Sequence, residues 1–276
     1  MAGGAFAFSV MTACAKLAGV RLPLFEIVAA RSLVVSVIAG VALWRGGHSF
    51  RGVEISLLLQ RALLGFGALT CYFYSIIHLP LADATVIYFT NPVLTALAAA
   101  WVLHERMGVW ELVLVVLSLV GVLFVARPSF LFGAESSLDP LGVGLGVISA
   151  FFGASAYITL RRMQRDPPLL VVFYFSTITV LIASPMMMLN FVVPNAMELF
   201  LLTCMGVATH VGQLAVTWAF RMERAGRAAA VGYLQIVFAA GWGWLLFSEV
   251  PDIWTWLGAA IIAGATVRLV RLYPAR

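Results

Sequence analysis

The residues in this chain that could do chemistry sit inside stretches otherwise composed of apolar side chains. Thr203, His210, Gln213 and Thr217 recur at intervals of seven, three and four, so on an α-helix they trace one face. His210 stands near the middle of an uncharged run from 199 to 220. Tyr88, Asn91 and Thr95 make a second polar stripe, in which Pro92 removes one backbone donor and frees the carbonyl four residues earlier. Tyr233 and Gln235 occupy a third apolar run, but two residues apart they do not share a helical face. Arg31 lies about seven residues into a further run, roughly 10 Å along a helix axis. The chemistry that hydroxyls, amides, an imidazole and a guanidinium suit here is recognition, either of a polar solute or of a neighbouring helix. A polar side chain facing lipid would be left unsatisfied, so each stripe must face protein or a water-filled cavity. For Arg31 the partner is a solute carboxylate, a group on another helix, or interfacial water reached by snorkelling. Tyr72, Tyr74, Tyr88, Tyr157, Trp218 and Tyr233 either wall a cavity that stacks flat or apolar solutes, or pack as core and interfacial belt.

Bond-making chemistry has no comparable signature. Gly142, Gly144 and Gly146 lack the spacing and the preceding strand of a dinucleotide loop, and His104-Glu105 is not followed by a second His four residues after the first. His48, His78, His104 and His210 share no helical face that would hold a metal. Cys14, Cys71 and Cys204 lie singly in apolar runs and read as small core residues. Gly142, Gly146, Ala150 and Gly153 fall on one helical stripe, where small side chains let another helix approach closely.

The elements that must position these groups follow from the apolar runs. From about residue 84 to 103, 141 to 160, 199 to 220 and 228 to 248 there is no Asp, Glu, Lys or Arg. Each run can cross a hydrocarbon core ~30 Å thick, which takes roughly 20 residues of helix. With 63% hydrophobic and 11% charged residues and a mean hydropathy of +1.03, too little polar surface remains to cover a soluble globule. The reading is an all-α polytopic membrane protein. Ten transmembrane helices are expected near 2 to 20, 24 to 44, 56 to 77, 82 to 103, 109 to 126, 141 to 161, 168 to 190, 198 to 221, 226 to 247 and 253 to 270. The first has no basic leader region and further spans follow it, so it is expected to be retained rather than cleaved.

Lys and Arg fall mainly in every second gap between these runs. Placing both termini in the cytoplasm puts Arg45, Arg51, Arg61, Arg106, Arg161, Arg162, Arg165, Arg221, Arg224, Arg227, Arg268, Arg271 and Arg276 inside. Only Lys16, Arg21 and Arg127 then lie outside, and thirteen against three in short loops sets the orientation. Basic residues split among loops rather than gathered in a patch make no nucleic-acid site, despite the net charge of +5.

Sliding the chain by 144 residues against itself superposes Tyr74 on Trp218, Ala84 on Ala228, Asn91 on Gln235, Glu105 on Glu249 and Arg127 on Arg271. Residues 1–130 and 141–276 are then two five-helix repeats joined by the polar segment 131–140. An odd number of spans per half inverts one half relative to the other, a construction many secondary transporters use for alternating access.

The stretch from Tyr72 to Glu105 (YFYSIIHLPLADATVIYFTNPVLTALAAAWVLHE) joins an aromatic helix end, a short LPLADA turn, an NP and a closing Glu. It resembles the third and fourth helices of the drug/metabolite transporter superfamily with its EamA-type repeats. Trp218 to Glu249 looks like the same unit in the second half, and the run FEIVAAR at 25 to 31 is similar to the start of the family's second helix. The sequence departs from the repeat where Arg224 and Gly226 replace Pro80 and Ala82. The resemblance implies ten helices, a central cavity between two halves, and export or exchange of small metabolites, commonly amino acids. Bacterial amino-acid exporters, including those for aromatic amino acids, are the nearest look-alikes.

The expectation is therefore a secondary transporter exporting small metabolites, most simply amino acids, from a bacterial-type inner membrane. It has no catalytic residue, cofactor or metal, and its partners are the substrate and the lipid bilayer. Substrate contacts are expected from Arg31, Tyr74, Tyr88, Asn91, Tyr157, His210, Gln213, Trp218, Tyr233 and Gln235. The alternative is a non-transporting scaffold or sensor subunit, or an integral-membrane enzyme. Glu105 and Glu249 are read as helix-end caps or ion pairs, and Asp83 as a cap. No carboxylate lies deep within a span, which leaves His210 as the mid-span group titrating near neutrality. The oligomeric state is not encoded.

Overall fold

Without water to satisfy backbone amides, a long apolar run in lipid must pair its own N–H and C=O groups, which an α-helix does. A computed structural model of the chain describes residues 1–79, 81–105, 108–126, 131, 139–247 and 252–272, and the regular structure among them is helical. The segments are α1 (Ala2–Ala18), α2 (Leu24–Arg45), α3 (Ile55–His78), α4 (Leu81–Tyr88), α5 (Asn91–Val102) and α6 (Val109–Ala126). They continue as α7 (Pro140–Arg162), α8 (Pro168–Met188), α9 (Ala196–Met222), α10 (Ala225–Val231), α11 (Leu234–Phe247) and α12 (Ile253–Leu272). Nine stretches of these are long and apolar enough to cross a membrane, α4 with α5 and α10 with α11 each counting as one. The apolar α1, with 17 residues, adds a tenth. Asp83's side chain and the residues Pro80, Arg106, Arg127, Glu249 and Arg276 lie outside the described residues, as does most of the joint 131–140.

Two spans expected to be continuous are broken. Between α4 and α5, Pro92 has no N–H for the Tyr88 carbonyl, and Thr90 closes a tight turn by donating its Oγ1 to the Ile87 carbonyl at 2.6 Å. Between α10 and α11 the chain tightens through Gly232. There Gly232 N bonds Ala229 O at 2.9 Å, Tyr233 N bonds Ala230 O at 3.1 Å and Gln235 N bonds Gly232 O at 3.0 Å, all three residues back. The two breaks touch, because Tyr233 donates its hydroxyl to the Phe89 carbonyl at 3.0 Å.

Starts at Leu24 and Pro168, Leu81 and Ala225, and Val109 and Ile253 are each 144 residues apart, as are the ends at Ala18 and Arg162 and at His78 and Met222. The helices pack as α3 on α7, α1 on α9, α2 on α8 and α6 on α12. Loops 46–54, 163–167 and 223–224, with residues 103–105, share one face of the bundle, here called the basic face.

The small-residue stripe of α7 meets neighbours from the same chain. A methyl group on Gly146 would lie 2.9 Å from Ser75 Oγ, and one on Gly153 would lie 2.0 Å from Asn91 Nδ2. The α6–α12 contact brings backbone against backbone, since a methyl on Gly258 would stand 2.5 Å from the Gly121 carbonyl oxygen. Outward stripes are apolar: Leu33, Val37, Val41 and Trp44 of α2 are exposed while Arg31, Val35, Ala39 and Leu43 of the same helix are buried.

Candidate functional site

The polar centre is built from seven helices around two arginines. Arg31 of α2 is buried and directs Nη1 at the thioether of Met11 in α1, 3.1 Å away. Arg61, counted above with the loop arginines, belongs inside α3. It lies six residues from the start of that helix, is 5% exposed, and is directed inward because its helix buries the face carrying Leu58, Arg61 and Ala62. Its Nη2 donates to Gln213 Oε1 of α9 at 3.3 Å, and its guanidinium lies 4.5 Å from the centre of the Phe175 ring of α8. Neither Arg31 nor Arg61 is paired with a carboxylate among the described residues. The Tyr88 side chain lies near both guanidiniums, and that of Tyr157 near Arg61. Tyr72 packs on Tyr88 with ring centres 4.3 Å apart, and Tyr157 stacks on Phe220 at 4.5 Å.

Of the residues expected from sequence, Arg31, Tyr88, Tyr157 and Gln213 thus gather in one cluster. Asn91 adjoins it from the start of α5, 3% exposed, with Oδ1 accepting from Thr95 at 2.9 Å and Nδ2 packed on Gly153. His210 is half-buried on α9, one turn from Gln213. The other members of its stripe bond their own helix, Thr203 to the Leu199 carbonyl and Thr217 to the Gln213 carbonyl. Arg31 Nε, Arg61 Nε, Asn91 Nδ2 and His210 Nδ1 are buried without a hydrogen-bond partner among the described residues.

Four expected residues stand apart from this cluster. Tyr233 is fully buried and holds the two helix breaks together. Gln235 donates to Thr12 Oγ1 of α1 at 3.4 Å. Tyr74 stacks on His78 at 4.0 Å near the end of α3. Trp218 is 53% exposed, on the stripe of α9 that carries Phe200, Val207 and Val211 to the outside. The sequence reading missed Arg61 by assigning it to a loop, although Leu57, Leu58 and Leu59 before it and Ala62, Leu63 and Leu64 after it are apolar. Cys14 and Cys204 were read singly but face each other as free thiols between α1 and α9.

The two faces of the bundle are closed by different means. On the basic face Glu105 accepts from Arg161 Nε at 2.8 Å and from Ala225 N at 3.0 Å, joining α5, α7 and α10. Arg161 also donates to the Arg221 carbonyl at 2.7 Å, and Arg221 to the Asp166 carbonyl. Asp166 caps the approach to α3 by accepting from Val53 N at 2.6 Å and Glu54 N at 2.8 Å. Glu111, 1% exposed, pairs with Arg227, whose Nε lies 2.7 Å away. On this face α5 packs directly on α10. On the opposite face α4 packs on α7 and α11 on α1, and the described residues of α4 and α11 make no comparable contact with each other. Arg21 there donates to Glu198 at 2.7 Å and to the Val193 carbonyl at 2.8 Å, and the carboxylate holds the Arg21 pKa above its ordinary value. Among the described residues no group of three His, Cys, Asp or Glu side chains comes together.

The EamA-like transporter family matches residues 1–127 and 140–271. The chain is 38% identical over 270 residues to the pseudopaline exporter of Pseudomonas aeruginosa, an overlap of 96% of this chain and 93% of that protein. It is 25% identical over 264 residues to the S-adenosylmethionine uptake transporter of Rickettsia prowazekii, covering 95% of this chain and 88% of the relative. With solute carrier family 35 member G1 of Homo sapiens it shares 29% identity over 228 residues, 79% of this chain and 62% of that one. A crystal structure of a protein 18% identical superposes with a TM-score of 0.80 over 98% of this chain and 96% of the other, a likeness of fold. Because the family match extends over nearly all of the chain, and the helices form a bundle of apolar spans around a polar centre, this protein belongs to the EamA-like transporter family: an integral-membrane transporter of small metabolites, not an enzyme.

Proposed function

We propose that the protein exports small amino-acid-type metabolites across a bacterial inner membrane, with both termini in the cytoplasm. Two inverted five-span halves, 1–130 and 141–276, rock about the polar centre. The observation that carries this reading is that four of the eight buried polar atoms without a partner among the described residues, on Arg31, Arg61, Asn91 and His210, lie in or beside this centre, the others being on Glu26, Ser75, Arg221 and Thr266. Burying such groups unsatisfied costs on the order of 1–3 kcal/mol each, so a polar solute moving through the bundle is their natural complement. The aromatic rings of Tyr72, Tyr88 and Tyr157 beside them suit the apolar part of such a solute. Export is supported by the pseudopaline exporter as a relative, and an amino-acid cargo by the guanidinium of Arg31, which offers a carboxylate a bidentate partner.

The unequal faces suit alternating access. Contact of α5 with α10, reinforced by Glu105–Arg161, closes the basic, cytoplasmic face, while α4 and α11 leave the other face the more open. Labelled amino acids presented to inside-out membrane vesicles test the reading. Saturable accumulation that vesicles lacking the protein do not show is expected, and accumulation only in right-side-out vesicles would reverse the direction.

A further inference from the structure

Three arginines at the ends of the spans are treated differently from the two central ones, while Arg221, also at an end, donates to the Asp166 carbonyl and keeps its Nε unpartnered among the described residues. Arg21, Arg161 and Arg227 each face a carboxylate, on Glu198, Glu105 and Glu111 respectively. Arg31 and Arg61 are 8% and 5% exposed, and the Nε of each has no partner among the described residues. Their contacts are with a thioether, an amide oxygen and an aromatic ring. None of these carries a negative charge, whereas an arginine near the middle of a span costs about 3 kcal/mol on insertion scales.

The two arginines also branch from their helices at different heights. Arg31 is seven residues from the start of α2 and Met11 seven from the end of α1, both counted from the face opposite the basic one. Arg61 is six residues from the start of α3 and Phe175 seven from the start of α8, counted from the basic face. At 1.5 Å per residue the α-carbons of Arg31 and Arg61 lie about 10 Å inside opposite faces of a bundle about 33 Å deep, so their levels differ by about 13 Å. A single carboxylate bound to one guanidinium leaves the other uncompensated. Tyr88, packed on Tyr72, is near both.

Resting on the transporter reading above, we propose that Arg31 and Arg61 hold the two ends of a dianionic solute, a small metabolite with two separated carboxylates. Each planar guanidinium takes one carboxylate through paired N–H bonds, and the tyrosine rings flank the chain between them. Selectivity for dicarboxylates over monocarboxylates is then a property of the pair and is lost with either arginine.

The test uses purified wild-type protein and linear dicarboxylates from succinate to sebacate, each against the monocarboxylate of the same chain length. The thermal unfolding midpoint reports binding, and proteoliposome counterflow of labelled glutamate and labelled leucine reports transport. At least one dicarboxylate is expected to raise Tm at a concentration about tenfold below that of its monocarboxylate, a difference of about 1.4 kcal/mol. Arg31→Gln and Arg61→Gln are each expected to bring that ratio to about one, with Arg61→Lys keeping part of it. Equal action of mono- and dicarboxylates on the wild type, or no action of either, overturns the proposal without relying on any variant. Saturable counterflow of leucine with no carboxylate effect leaves the transporter reading standing and sinks the dianion proposal, whereas absence of any saturable counterflow removes both.

Discussion

Single side chains in this bundle divide by where their polar atoms find partners. Tyr233 has its hydroxyl satisfied by the Phe89 carbonyl and its ring enclosed, so it acts on stability rather than on the solute. Tyr233→Phe is expected to cost about 1 kcal/mol, read as a lower unfolding midpoint, with the KM for transport unchanged. A raised KM at unchanged midpoint would instead place Tyr233 against the solute. His210 is the contrary case, half-buried with Nδ1 unpartnered at mid-span. His210→Ala is expected to flatten the pH dependence of flux in the mildly acidic range, below about pH 7, and a variant with the wild-type profile would remove the imidazole from coupling. Sequence spacing could assemble the stripe 203, 210, 213 and 217, but not foresee that Thr203 and Thr217 turn back onto their own helix. Nor could it show which distant residue each cation meets: Arg31 finds Met11 and Arg61 finds Gln213, contacts that only packing defines.

Helices were the most legible level, because the period and length of apolar runs are set by the bilayer and by helix rise rather than by tertiary contacts. Expected starts at 24, 109, 168 and 253 coincide with those of α2, α6, α8 and α12. The breaks before Asn91 and after Val231 were not foreseen, although Pro92 and Gly232 mark them, because an apolar run with one Pro or Gly is also compatible with a kinked but continuous helix. Helix pairing was out of reach of composition, and the glycines show why. Nothing in the sequence marks Gly121 and Gly258 as the crossing point of α6 and α12. Since the obstacle there is backbone rather than a side chain that can turn aside, Gly258→Ala is expected to destabilise by about 1–3 kcal/mol. A thermal midpoint within error of wild type would mean that α6 and α12 do not approach as described.

At the scale of the whole molecule, the spacing of 144 residues recurs in helix bounds and in contacts between spans. Arg21 faces Glu198 at one side of the bundle, and Arg165 N bonds Glu54 at the other, positions that the same shift interchanges. Two inverted halves would place such mates at opposite membrane faces. Single cysteines at Asn195 and Val20 are accordingly expected to react with an impermeant reagent added outside intact cells, and those at Gly47 and Gln164 only after permeabilisation; the opposite pattern would reverse the orientation. The central claim is that a metabolite crosses by alternate exposure of one buried polar site. Counterflow in proteoliposomes measures this most directly, because a carrier loaded with unlabelled substrate must draw external label inward transiently above equilibrium. The account predicts saturable, transient overshoot for at least one small carboxylate-bearing metabolite, abolished in the Arg31→Gln/Arg61→Gln double variant. Label that only equilibrates, linearly in concentration and at the rate of protein-free liposomes across the whole panel, would contradict it.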